Sequence, residues 1–170
     1  RDASRAAAWY RKAAKQGHVK SKYELAKLYY DGRGVTKNLK KALKFGLIAA
    51  KNGVVEAQYD VGRAYFYGDV GPINYDKGMK FLLMASEKNH YSAQLLIAAY
   101  YQSFGDKIKA ENFYKLAIKN IYSQVGAKSN DYIKALAHLG GLYAENMKYQ
   151  EAKELSLIGL KTCETKKYSD

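Results

Sequence analysis

Small, apolar and aromatic side chains recur along this chain at a fixed stride of 36 residues. The stretches Ser21–Tyr29, Ala57–Tyr65 and Ala93–Tyr101 align position by position. Each sets an aliphatic residue (Leu25, Val61, Ile97) beside a small one (Ala26, Gly62, Ala98), with a tyrosine three places on (Tyr29, Tyr65, Tyr101). A fourth copy centres on Gly140 and Tyr143, after a step of 42. These spacings belong to one face of a helix. The small residue at its centre predicts close approach of a neighbouring helix, because a helical glycine otherwise costs about 1 kcal/mol relative to alanine. The tyrosines are expected to fill the space between paired helices.

A second pattern alternates with the first at the same stride. Asp2, Asn38 and Asn74 are helix N-cap candidates, since their side-chain oxygens can accept an orphan backbone N–H. Ala6, Ala42 and Gly78 follow, then Trp9, Phe45 and Phe81, then Ala13, Ala49 and Ala85, all on one predicted buried stripe. Gly17, Gly53 and Asn89 come next in register as helix stops. Antiparallel helix pairs are thus expected throughout. The first two intra-pair loops, 31–38 and 67–74, are long and glycine-bearing, whereas Gly105-Asp106 and Asn146-Met147-Lys148 are tight turns. The extra residues of the 42-residue step are expected in a loop near Ile121–Asp131, signalled by Gly126, Ser129 and Asn130.

A period in this range is the mark of a stacked-repeat protein in which each unit buries its apolar face only against neighbours. Composition agrees: one proline in 170 residues favours helices. The single cysteine, Cys163, rules out an internal disulfide framework. No 18-residue apolar run is present, so no membrane span is expected. The chain opens on Arg1 partway through a repeat, which suggests a fragment or processed form. Its net charge of +13 is uneven. Residues 1–85 carry 17 basic and 7 acidic side chains, a net +10, and residues 86–170 carry 12 and 9, a net +3. Such an excess can steer acidic partners.

The combined pattern resembles the Sel-one-like repeat family, a relative of the tetratricopeptide repeat. Leu25, Tyr29, Gly32, Gly34 and Val35 match the family's first helix and loop. Ala6, Trp9, Tyr10, Lys12, Ala13, Ala14 and Gly17 match its second helix. Val70 departs from the pattern, standing where a loop glycine belongs, with Gly71 one place later. The resemblance implies an all-α, right-handed superhelical solenoid of antiparallel helix pairs. Its expected division is a truncated repeat's second helix (1–19), two Sel-one-like units (20–53 and 54–89), and two tetratricopeptide-like units (90–128 and 129–170), the last with a terminal capping helix near Tyr149–Cys163.

Several chemistries find no support in the residues. Gly32-Arg33-Gly34 lacks the preceding strand and anchoring Lys-Ser/Thr of a phosphate loop. His18, His90 and His138 form no metal-ligand spacing, and no nucleophile elbow occurs. No catalytic residue, metal or cofactor is assigned, and no small-molecule substrate is expected. Seventeen tyrosines beside lysines invite a nucleic-acid reading. Their repeat register argues for packing instead, and Lys40, Lys41, Lys44, Lys77 and Lys80 read as a solvated outer face.

The resemblance also implies that first helices line a concave face. There the exposed offsets give Tyr23, Lys27 and Tyr30 in one repeat, Tyr59, Arg63 and Phe66 in the next, and Leu95, Ala99 and Gln102 in the third. The first six are the candidate partner-binding residues. Lys27 and Arg63 are expected to orient an acidic group, with the aromatic residues supplying apolar contact. The expected function is a non-catalytic module binding a peptide, loop or helix of a partner protein, as in bacterial adaptor, host-interaction or toxin-neutralising proteins. A periplasmic, envelope or secreted setting is favoured by the resemblance. The alternatives are a basic nucleic-acid-binding solenoid and a spacer segment of a larger envelope protein.

Overall fold

The computed structural model describes residues 2–167. Among them are nine helices and no strand: α1 (Asp2–Lys15), α2 (Val19–Asp31), α3 (Leu39–Lys51), α4 (Val55–Tyr67), α5 (Tyr75–Ser86), α6 (Tyr91–Ser103), α7 (Lys107–Gln124), α8 (Asn130–Glu145) and α9 (Tyr149–Lys167). The fold is an all-α helical-repeat solenoid. It divides into two compact units, residues 1–88 and 89–170.

In the first unit each helix packs on the next in the chain, from α1 to α5. The predicted caps are in place: the side chains of Asn38 and Asn74 accept from the N–H groups of Lys41 and Lys77, both at 2.9 Å. Gly17 and Gly53 end their helices at φ +95° and +87°. Inside the pairs, Tyr29 stacks on Phe45 at 5.9 Å and Tyr65 on Phe81 at 6.5 Å. Around them Leu25, Ala49, Ala50, Ala57 and Val61 are buried. A fully buried aliphatic side chain such as Leu25 contributes about 1.5–3 kcal/mol.

Gly62 of α4 and Gly78 of α5 mark a close crossing. A Cβ on Gly62 would lie 2.7 Å from Leu82 Cγ and 3.1 Å from the Gly78 carbonyl oxygen. The small central residue therefore does allow close approach here. At Gly140 it does not: a Cβ there would meet only ordinary contacts at 3.8 Å or more.

Trp9 corrects the sequence reading, because it is 70% exposed rather than buried. Its equivalents Phe45 and Phe81 are covered by the tyrosine of the preceding first helix.

In the second unit α6 packs on α7, α7 on α8 and α8 on α9. Ala98, Ala110, Tyr114, Leu139, Leu142 and Tyr143 form its core, and Tyr101 stacks on Phe113 at 5.9 Å. The extra residues of the 42-residue step are a second correction. They chiefly lengthen α7, which has 18 residues against 13 in α3, and only 125–129 form the loop. Burial explains the extension, since Ile121 is fully buried and Asn120 Nδ2 donates to Gln94 Oε1 at 2.9 Å. Gly126 still turns the chain at φ +90°, and Ser129 caps α8.

Candidate partner-binding face

Helices α2 and α4 stand side by side over α3, and their facing residues line a cavity of about 250 Å³ that is open to solvent on one side. Its floor is small and apolar. Ala42, Leu43 and Gly46 come from α3, and Ala26, Ala57, Val61 and Ala64 from its neighbours. Gly46 keeps the floor low, because a Cβ there would come within 3.2 Å of Val61 Cγ2. The rim is polar: Tyr23, Lys27, Tyr30 and Asp31 on α2, Asp60 and Arg63 on α4. Val70, from the loop after α4, completes the wall.

Two hydrogen-bonded links cross the rim between adjacent repeats. Tyr23 Oη donates to Asp60 Oδ2 at 2.8 Å. Burial first, and then the Asp60 carboxylate, push the Tyr23 hydroxyl well above its ordinary pKa. At the other end Arg63 Nη2 donates to Tyr30 Oη at 3.4 Å, and Tyr30 Oη donates to Asp69 Oδ2 at 3.3 Å. Arg63 also pairs with Asp69 at 3.7 Å. Burial works against the Arg63 charge, but the Tyr30 hydrogen bond and the Asp69 and Asp60 carboxylates outweigh it, so its pKa is raised.

Four of the six candidate residues, Tyr23, Lys27, Tyr30 and Arg63, meet around this one cavity. Lys27 pairs with Glu24 at 2.9 Å and lies 4.8 Å over the Tyr23 ring, and Arg63 lies 5.7 Å over Tyr30. The other two are elsewhere. Phe66 is buried, edge-on to Tyr75 at 5.2 Å. Tyr59 is half-buried, outside the cavity lining, and close enough to Arg63 for that charge to oppose the upward push that burial gives its pKa. In the third repeat, Gln102 Nε2 donates to both carboxylate oxygens of Glu145 at 2.9 Å.

The carboxylates are what the sequence reading missed. Asp31 and Asp60 stand with Lys27 and Arg63 on the lining, so the face is of mixed charge and not simply basic. A recurring signal pointed to them: Tyr23–Asp60, Tyr30–Asp69 and Tyr91–Asp131 are each separated by one repeat plus a few residues. Lys40, Lys41, Lys44, Lys77 and Lys80 are exposed, as a solvated face requires, and the lysines at the start of second helices have a further role. Lys41, Lys77 and Lys109 lie over Tyr29, Tyr65 and Tyr101 at 5.3, 5.8 and 4.9 Å, and so cover the intra-pair tyrosines. Among the described residues no group of three or more His, Cys, Asp or Glu could hold a metal ion, and no helix is long and apolar enough to cross a membrane.

The family model for the Sel1 repeat matches residues 1–18, 19–54, 55–90 and 92–122. The third long match takes in most of the segment whose tight turn resembles a tetratricopeptide unit. No curated protein matches the chain significantly. Among solved structures it is similar to c5321, a protective antigen of uropathogenic Escherichia coli with an SLR fold (TM-score 0.77, 23% identity, 94% of this chain and 34% of that one). It is also similar to a Sel1 repeat protein from Oxalobacter formigenes (0.74, 20%, 94% and 64%) and to MamA (0.68, 22%, 92% and 86%). The chain thus spans about a third of the first of these and just under two thirds of the second.

Proposed function

This chain belongs to the Sel1 repeat family, and we propose that it is a non-catalytic module that captures a peptide, loop or helix of a partner protein on the α2–α4 face. Sel1 and tetratricopeptide-like repeat proteins mediate protein–protein interaction. The observation that carries the finer reading is the cavity itself: an apolar floor with Tyr23, Lys27, Tyr30 and Arg63 gathered on one rim. Aromatic and arginine side chains at the edge of a desolvated pocket are the usual anchors of protein interfaces. Phe66, packed on Tyr75 of α5, takes no direct part in this reading, and Tyr59 flanks Arg63. Because Lys27 and Arg63 are already paired with Glu24 and Asp69, an acidic partner group would have to exchange with those carboxylates. We favour a bacterial adaptor, host-interaction or toxin-neutralising setting, a reading supported by the likeness to a protective antigen.

The test is a Lys27→Glu, Arg63→Glu double variant, titrated against a partner identified by affinity capture, with circular dichroism as the folding control. Loss of binding with helicity retained is the expected result. Unchanged affinity in the folded variant would remove this face from the interface.

A further inference from the structure

We infer that the α2–α4 cavity is an anchor site for one aromatic side chain of the partner polypeptide, and that Val70 sets how large that side chain can be. The inference rests on the protein-binding reading above and deepens it.

Volume is the first argument. About 250 Å³ is smaller than the few hundred to a thousand cubic ångströms of a drug-sized ligand site. It exceeds the roughly 150 Å³ of an apolar cavity that admits benzene. A ring bearing a substituent, or a fused ring such as indole, is the class of group that fills it. Charge is the second. Lys27 and Arg63 on the lining are paired with Glu24 and Asp69, and Asp60 accepts from Tyr23, so a neutral occupant leaves these pairs intact. A buried carboxylate or ammonium would disturb them at a desolvation cost. The third is the Arg63 guanidinium on the rim, which already lies over the Tyr30 ring. A ring entering beside it finds cation–π partners that an aliphatic chain cannot use.

Val70 enters through its position in the repeat. Thirty-six residues earlier the same register holds Gly34, at φ +70°, where any Cβ would overlap the backbone of Ala3 on α1. That loop is seated directly on the preceding second helix. At 70 the chain carries a branched side chain instead, and it lines the cavity. A second cavity of about 150 Å³, reaching Pro72 and Lys77, is also lined by Leu43, Ala64 and Val70, so these three form the wall between the two. Of the three, Val70 alone lies in a loop, so its size can change without disturbing a helix.

The experiment uses the 170-residue chain with N-acetyl-tryptophanamide as the aromatic probe and N-acetyl-leucinamide as the aliphatic one, followed by backbone amide shifts. The tryptophan probe is expected to saturate and to move the amides of Gly46, Val61 and Ala64, with the leucine probe binding more weakly. Val70→Phe should weaken the tryptophan probe at least about tenfold, the scale on which a pocket discriminates a few added carbons. Val70→Ala should retain it. No saturable shift at these amides, equal response to both probes, or indifference to Val70→Phe would each overturn the inference. The two levels separate cleanly. Partner binding lost in the Lys27/Arg63 variant, with no tryptophan response, sinks the aromatic anchor alone. A tryptophan response alongside unchanged partner affinity in that variant sinks the protein-binding role of the face alone.

Discussion

Tyr23 on α2 donates a 2.8 Å hydrogen bond to Asp60 on α4, tying one repeat to the next across the rim of the cavity. The contact fixes the spacing of the two helices that wall the cavity, and it places a carboxylate where the sequence pattern showed only aromatic and basic residues. Tyr91 and Asp131 make the corresponding link in the second unit at 3.1 Å.

Removing the hydroxyl should therefore cost stability. Tyr23→Phe leaves Asp60 without its donor, and a hydrogen bond to a charged group contributes about 1.5–3 kcal/mol. Urea unfolding should show a loss toward the lower end of that range, since the pair is only partly buried. The pH dependence follows from the same residue. Its folded pKa is raised, chiefly by burial, so the stabilisation is fully present below the unfolded tyrosine value near about 10. It is lost as pH rises through the higher folded value, because the unfolded chain releases its proton first. Stability should fall above about pH 10, and less steeply in Tyr23→Phe. Tyr59, Tyr91, Tyr114 and Tyr143, also raised with burial as the first cause, add to the same alkaline loss.

Two helix-centre glycines should respond oppositely to alanine. At Gly62 the new methyl would press on Leu82 Cγ and the Gly78 carbonyl, neither of them the free end of a flexible chain. Overpacking of this kind costs about 1–3 kcal/mol and outweighs the roughly 1 kcal/mol gained in helix propensity. At Gly140 the methyl meets open contacts, so Gly140→Ala should be stabilising by about 0.4–1 kcal/mol. Thermal denaturation of the two variants distinguishes them by sign.

Glu111 organises the second unit's polar edge. It accepts from Lys115 at 2.7 Å, Tyr143 at 3.0 Å and Lys148 at 3.2 Å. The Lys115 hydrogen bond leads in holding its carboxyl below the ordinary value, with Tyr143 and Lys148 adding to it against burial. With the folded pKa lowered, its contribution is present above the unfolded value near about 4.3 and is lost as pH falls through the folded one. Glu111→Gln should lower stability at neutral pH and flatten the acid limb of the unfolding profile.

The legible part of this fold was the part written in local spacing. Asn38 and Asn74 cap helices and Tyr29 and Tyr65 stack on Phe45 and Phe81 because each pairing lies within one repeat. The family, too, was readable from those motifs. What spacing did not carry was set by the neighbours on either side. Trp9 has the residue type of a buried position yet is exposed, and Phe66 shares an exposed offset with Tyr30 yet turns inward onto Tyr75. The cavity was illegible for a related reason. Its floor comes from α3 and its wall from Val70, and their convergence depends on how α3 is rotated beneath α2 and α4.

The most direct measurement is backbone hydrogen exchange of the chain with and without its captured partner. Added protection confined to α2, α4 and the loop through Val70 is the result expected of a partner seated on this face. Protection confined to α6–α9, or to the opposite faces of α3 and α5, would contradict it.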